Sequence, residues 1–203
     1  MLKAVPLGRN CGLKVSQLCL GTMNFGEPGR GHQGDWTLGI DDARPLFKAA
    51  LDHGLFYFDT ADVYGLGATE RVVGQLLREL LSRDEYVLAT KISMPMGRGP
   101  NQGGLSRKHV LEAVDACLER LGLDYVDQLV IHRHPHGVPG YAQVPIEETL
   151  SALDEVVRAG KAFNDLMHEF RAIIADVKQS SERITGAAHD LASSSQQVQE
   201  SSS

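Results

Sequence analysis

The chain has 203 residues, 42% apolar and 23% charged, a composition that fits one ordinary soluble domain or a small one with an appendage. Its net charge of −6 supplies no basic footprint, which argues against a nucleic-acid partner. No run approaches about 20 apolar residues, and Met1–Asn10 lacks the apolar core of a secretory leader, so neither a spanning helix nor a signal peptide is expected.

In chain order, Gln17–Gly21 (QLCLG) is a short apolar run that ends in glycine. Asp41–His53 places Ala43, Leu46, Phe47, Ala50 and Leu51 at the spacing of one helix face. Pro45 is read into its first turn, where a missing N–H is harmless, and Gly54 is placed to end it. Leu55–Asp59 is the next strand, and Thr69–Leu81 a helix with Val72, Val73, Leu76, Leu77 and Leu80 on one side. Tyr86–Lys91 is the third strand. Ser106 is a candidate cap for a third helix carrying Val110, Leu111, Val114, Leu118 and Leu121, with Gly122 after it. Val126–His132 is the fourth strand, and Pro145–Ala159 the fourth helix, with Leu150, Leu153, Val156 and Val157 inward and Gly160 as the stop. Strands alternating with helices imply right-handed βαβ units and a parallel sheet. The strands read as apolar nearly throughout, as if both faces were covered. A doubly wound open sheet and a barrel both fit this pattern.

The composition changes near Lys161. Beyond it stand one glycine, no proline and much Ser and Gln. Phe163, Phe170, Val177, Ile184, Leu191 and Val198 repeat every seven residues, with Met167, Ile174, Ser181, Ala188 and Ser195 four residues after the first five. That is the seam of a long heptad helix, which needs a partner helix or a surface to dock on. Two regions are therefore expected, 1–161 and 162–203.

Chemistry is expected where the strands end, because loops at strand C-termini build the sites of parallel α/β proteins. Asp59, Lys91 and His132 close the second, third and fourth strands, and Tyr64 lies just after the second. Charged groups are rarely buried unpaired, so Asp59 and Lys91 could simply pair with each other. The four also make a chemical set. A tyrosine hydroxyl is a weak acid, with a pKa of about 10, and a neighbouring ammonium stabilises its phenolate. A carboxylate positions the ammonium, and a histidine hydrogen-bonds a carbonyl oxygen. Together they could protonate a carbonyl as it receives a hydride.

The run Asp59-Thr-Ala-Asp-Val-Tyr64-Gly65, followed by Gly67-Ala-Thr-Glu70, resembles the signature of aldo-keto reductases. LCLGTMNFG (18–26), ATKIS (89–93) and LVIHR (129–133) are similar to that family's first, third and fourth strands. The resemblance covers about residues 10–161. It implies an α/β fold of four βα units, half of a (β/α)₈ TIM-type barrel, followed here by the C-terminal heptad helix. It implies Tyr64 as proton donor, Lys91 and Asp59 tuning it, and His132 orienting the substrate carbonyl. Gly21, Thr22 and Asp59 would line the nicotinamide site of NADP(H). The implied reaction is NADPH-dependent reduction of a small aldehyde or ketone to an alcohol.

The family's fifth to eighth units, which bring most cofactor contacts, are not recognisable after Ala162. Each unit takes about 35 residues here, and a barrel runs to about 250, whereas 42 follow Lys161. The expectation is impaired cofactor binding, with open edges at the first and fourth strands. Self-association through those edges or the heptad tail is a further expectation. The tail weakly resembles the post-HAMP helical region of methyl-accepting chemotaxis proteins. A non-enzymatic coiled-coil signalling or oligomerisation module is accordingly the alternative, and a fusion of two fragments would explain the break.

Four weaker signals remain. Cys11, Cys19 and Cys117 are sparse and unsuitably spaced for a metal cluster, which fits reduced thiols in cytoplasm. His132, His134 and His136 alternate in the manner of zinc ligands, but Pro135 interrupts them, and no metal is expected. Gly97–Gly104 (GRGPNQGG) lacks phosphate-loop spacing and reads as a plain βα loop. Trp36 fits either a substrate contact or a surface anchor.

Overall fold

The computed structural model describes residues 2–133 and 143–160. The chain divides into two compact units, Met1–Val156 and Val157–Ser203. The heptad run from Phe163 lies outside the described residues, as do His134 and His136.

The chain opens with an antiparallel hairpin, β1 (Ala4–Pro6) and β2 (Lys14–Ser16). Sequence reading missed it, because three-residue strands leave no periodicity to detect. Then come β3 (Leu20–Gly21), α1 (Ile40–Asp52), β4 (Tyr57–Asp59), α2 (Ala68–Leu80), β5 (Val87–Ile92), α3 (Arg107–Leu121) and β6 (Gln128–Ile131). A fourth helix, α4, covers 146–160; Leu153 and Val156 pack inward as expected, whereas Leu150 and Val157 are exposed. The strands are shorter than the apolar runs suggested, except that β5 continues one residue past Lys91 to Ile92.

The main sheet is parallel, in the order β3-β4-β5-β6. A doubly wound sheet reverses its order at a switch point. Here each strand lies beside its predecessor, as consecutive units of a barrel do.

Pairing sorts the side chains into two faces, because successive residues of a strand point to opposite sides. Leu20, Phe58 and Leu88 stand side by side on one face, and Gly21, Asp59, Ala89 and Gln128 on the other. The first face lies under the helices. Phe58 stacks on Phe47 of α1, with centroids 5.4 Å apart and planes 8° from parallel, and Tyr86 meets Phe58 edge-on. Val73, Leu76 and Leu77 of α2 complete that core, and Ile92, Val110, Ala113, Val114, Cys117 and Ala152 form a second one around α3 and α4. Full burial of each Phe, Leu, Ile or Val among them stabilises the fold by about 1.5–3 kcal/mol. Coverage on both faces, expected for all the strands, holds for β5, where Val87, Leu88, Ala89, Thr90 and Ile92 are buried, but not for the outer strands. All four residues of β6, the last strand in the sheet order, are only half-buried.

The helix ends follow local chemistry. The Ser106 hydroxyl accepts a hydrogen bond from the His109 amide at 3.3 Å, and Gly122 takes the left-handed turn after α3 at φ +66°. Pro45 does not sit where the spacing placed it. In α1, which begins at Ile40, Pro45 lies in the second turn and leaves the Asp41 carbonyl without its helical donor. Asp41 is exposed, so water can satisfy that oxygen. Helices α2 and α3 pack closely at Gly74, where an added Cβ would stand 2.1 Å from the Leu121 carbonyl oxygen.

Candidate active site

The C-terminal ends of β4, β5 and β6 bring Asp59, Lys91, Tyr64 and His132 together. Lys91 is the hub. Its Nζ donates to Asp59 Oδ2 at 2.5 Å, to the Thr60 carbonyl at 2.9 Å and to Tyr64 Oη at 3.3 Å. Three acceptors use the full donor capacity of an ammonium. The pairing of Asp59 with Lys91 is therefore real, and it does not end with the pair, because the same ammonium reaches the phenol. The Tyr64 ring meets the His132 ring edge-on, with centroids 5.7 Å apart.

Local backbone features hold each group. The turn after β4 runs along the end of β5, with the Thr60 amide bonded to the Ala89 carbonyl at 2.9 Å and the Asp62 amide to the Lys91 carbonyl at 3.0 Å. Tyr64 then starts a tight turn through Gly65, Leu66 and Gly67, all at positive φ, that delivers the chain into α2. His132 follows β6, and its amide bonds to the Ile92 carbonyl at 2.9 Å. Burial, reinforced by the Lys91 charge, pushes the His132 pKa below the usual imidazole range. Its Nδ1 is buried without a hydrogen-bond partner.

The residues expected to line a nicotinamide ring divide in two. Thr22 is fully buried, and both its amide and its hydroxyl donate to the Asp59 carbonyl, at 3.0 and 2.9 Å. It therefore fastens the end of β3 to the end of β4. Gly21 is exposed, and a Cβ added there would meet nothing within 4 Å. The strand-end surface beside Asp59 is thus open where a flat ring could lie.

Sequence reading assigned no role to three supporting groups. Glu70 is fully buried on α2, paired with Arg120 of α3 at 2.6 Å and accepting the Thr90 hydroxyl at 2.7 Å. Gly67 makes room for that pair: at φ +87°, its added Cβ would stand 2.3 Å from Arg120 Cδ. Asp62 is fully buried, and both its carboxylate oxygens lack a partner. Ser93 sits at φ +118°, a strained value for a residue with a side chain. Its hydroxyl donates to the Arg133 carbonyl at 3.0 Å and accepts from the Arg133 amide at 3.1 Å, which clamps the chain just after His132. Glu70 and Asp62 had a signal, two acids in a run that leads into a helix. Ser93 had none, since φ is not visible in a residue name.

Among the described residues, no group of three His, Cys, Asp or Glu side chains could hold a metal, and no helix is long and apolar enough to cross a membrane. The glycine-rich 97–104 segment is a loop between β5 and α3, folded on Gln102, whose Oε1 accepts from the Gly99 amide at 2.9 Å. Trp36 is half exposed in the loop before α1. A cavity of about 430 Å³ lies at the opposite end of the strands from Lys91, lined by Phe56, Arg83, Tyr86, Tyr125 and Asp127 among others. Arg83 stands over the Tyr86 and Tyr125 rings and pairs with Asp127 there, so its charge is already engaged.

The Aldo/keto reductase family model matches residues 17–164. The chain belongs to that family. A protein of Arabidopsis thaliana named as a probable voltage-gated potassium channel subunit beta is 42% identical over 159 residues, covering 77% of this chain and 43% of the relative. Versiconal hemiacetal acetate reductase of Aspergillus parasiticus is 40% identical over 169 residues, covering 74% of this chain and 46% of that one. The solved aldo-keto reductase of Bacillus halodurans, in its holo form, superposes with a TM-score of 0.60 at 30% identity, over 79% of this chain and 48% of that one. These matches settle the choice between the two architectures as a TIM-barrel-type fold. The chain spans less than half the length of these three relatives. The family's relatives include oxidoreductases, and its members generally use NADP(H).

Proposed function

We propose that the Asp59–Tyr64–Lys91–His132 cluster is the proton-delivery site of an NADPH-dependent carbonyl reductase. The observation that carries this reading is Lys91 Nζ held between the Asp59 carboxylate and the Tyr64 hydroxyl, with His132 against the same phenol. A carbonyl oxygen placed between Tyr64 and His132 would accept hydrogen bonds from both. As negative charge develops on that oxygen, Tyr64 transfers its proton, and the Lys91 ammonium stabilises the phenolate left behind. Asp59 offsets the Lys91 charge and fixes its direction. His132, neutral at pH 7 because of its burial and the nearby ammonium, keeps one N–H to orient the carbonyl.

The described residues suit the nicotinamide end of NADPH, which supplies the hydride when bound. Gly21 leaves open space beside Asp59, and Thr22 holds the two strand ends together. In this reading, the units that carry the phosphate contacts in longer family members are not provided by residues 1–160. We therefore propose that these 203 residues alone bind NADPH weakly and turn over slowly.

The test is a titration of the purified chain with NADPH, followed by nucleotide fluorescence, with carbonyl reduction measured at saturating nucleotide for the chain and for Tyr64→Phe. The expectation is a Kd weaker than about 100 μM, a binding free energy short of roughly −5.5 kcal/mol, and slow turnover that depends on Tyr64. Kd below about 10 μM would mean that residues beyond 160, or a second copy of the chain, complete the site. Turnover unaffected by Tyr64→Phe would remove the proposed proton donor.

A further inference from the structure

We propose that Asp62 is a pH-sensitive positioning residue: its carboxyl is held protonated under the 60–64 turn, and its ionisation displaces that turn and the Tyr64 hydroxyl with it. The inference deepens the reductase reading and rests on it for the importance of Tyr64.

Asp62 has no solvent exposure, and neither carboxylate oxygen makes a well-formed hydrogen bond, the adjacent Val63 amide being near enough only to favour the charged form weakly. A buried carboxylate without partners is a costly species, and its neutral protonated form costs much less. The charges around it do not relieve that cost. Glu70 faces it from α2, fully buried and already matched to Arg120. Arg120 and Cys117 face it from α3, and Lys91 from β5. Each cation is engaged elsewhere, Arg120 with Glu70 and Lys91 with Asp59. Ionising Asp62 would therefore place two carboxylates beside one guanidinium that fits only one of them. Burial, with the Glu70 charge second, raises the Asp62 pKa to about 7, against the smaller opposing pulls of the Val63 amide, Arg120 and Lys91.

The connection to Tyr64 is covalent and short. Asp62 lies two residues before Tyr64, and its amide is bonded to the Lys91 carbonyl at 3.0 Å. The turn cannot move toward solvent to hydrate an ionised Asp62 without disturbing that bond. The 3.3 Å contact from Lys91 Nζ to Tyr64 Oη depends on the same two segments. Acid pH thus favours the assembled cluster and alkaline pH loosens it. An ordinary buried aspartate that merely packs would not link its titration to the phenol.

The experiment is an NMR titration of the full 203-residue chain between pH 5 and 9, with carbon-13 in the aspartate carboxyls and tyrosine rings, and Asp62→Asn to assign the resonance. The expected result is an Asp62 carboxyl that titrates at least about two units above a solvent-exposed aspartate, with a Tyr64 ring shift at the same midpoint. That ring shift should vanish in Asp62→Asn. His132 also touches the ring, but its pKa is lowered, so its influence falls at a more acid midpoint and persists in the variant. An Asp62 carboxyl already ionised at pH 5 would overturn the proposal. So would a Tyr64 signal that stays constant while Asp62 titrates, or one whose shift survives Asp62→Asn unchanged. If the variant does not fold, coincidence or separation of the two midpoints in the unaltered chain still decides. None of these readouts needs NADPH or turnover, so a failed reductase assay would leave this result standing.

Discussion

The helix-covered face of the sheet and the C-terminal ends of its strands are made from the same few strands yet follow opposite rules. Phe58 and Asp59 are neighbours in β4. One is fully buried against Phe47, and the other is an ion-paired carboxylate beside a phenol. In β5 the alternation is Leu88, Thr90 and Ile92 on one side, with Ala89 and Lys91 on the other. On the helix face, burial of apolar area does the stabilising and the polar atoms are few. At the strand ends, the structure tolerates a strained Ser93, an unpartnered Asp62 and a buried histidine nitrogen. Such features persist only where the surroundings over-determine them, and they cluster at functional sites. The lesson is a division of labour by pleat. Residues of one parity hold the fold, while those of the other parity, near the strand ends, carry the chemistry.

Substitutions on the two sides should separate stability from activity. The largest effect belongs to Tyr64→Phe, which should cut carbonyl reduction by about 10²–10⁴-fold with little change in the midpoint of urea unfolding. Its mirror is Phe47→Ala, expected to cost about 3–5 kcal/mol of stability in the same urea titration while turnover per folded molecule stays close to that of the parent. A turnover loss in Phe47→Ala matching that of Tyr64→Phe would break the division.

Asp62→Asn sharpens the comparison through pH. The folded pKa of Asp62 lies above its unfolded value, so its contribution to stability is fully present below pH 3.8 and is lost as pH rises toward about 7. Asparagine removes that loss. Thermal melts should show Asp62→Asn gaining on the parent from pH 5 to pH 8, by a few kcal/mol at most. A parallel pair of pH profiles would show that Asp62 is not the titrating group.

Smaller still is Ser106→Ala, which removes the α3 cap and should cost about 1 kcal/mol in urea unfolding. It leaves the strand ends alone, so its turnover should not change. Ser93→Gly is expected to be nearly neutral in melting temperature, since relief of backbone strain, about 1–3 kcal/mol, offsets the two lost bonds to Arg133. Its mark should be a shifted His132 imidazole resonance. A large fall in melting temperature with an unmoved His132 signal would make Ser93 a fold residue instead.

Much of the site was legible because its residues sit at landmarks. Asp59 ends an apolar run, Tyr64 follows it within the signature DTADVYG, and Lys91 and His132 stand at two more strand ends. Burial periodicity likewise marked Phe47, Val73, Leu77, Val110 and Val114. The hairpin was not legible, since Ala4–Pro6 and Lys14–Ser16 are held by pairing and by the Ser16 hydroxyl, which accepts from the Phe56 and Tyr57 amides at 3.2 Å. Pro45 lies past the first turn from either start, as the fifth residue from Asp41 or the sixth from Ile40, because a turn holds only 3.6 residues.

By itself the sequence determined the alternation of strands and helices, the parity that separates apolar from polar side chains, and the resemblance that links the four site residues. These are local properties, set by side-chain spacing over a few residues. Tertiary structure decided what depends on distant segments meeting. It set the order β3-β4-β5-β6, the reach of Lys91 to Asp59, Thr60 and Tyr64 at once, and the turning of Thr22 into a strand clasp. It also left Asp62 buried with no partner while Glu70 took Arg120, because one guanidinium between two carboxylates can satisfy only the one it faces.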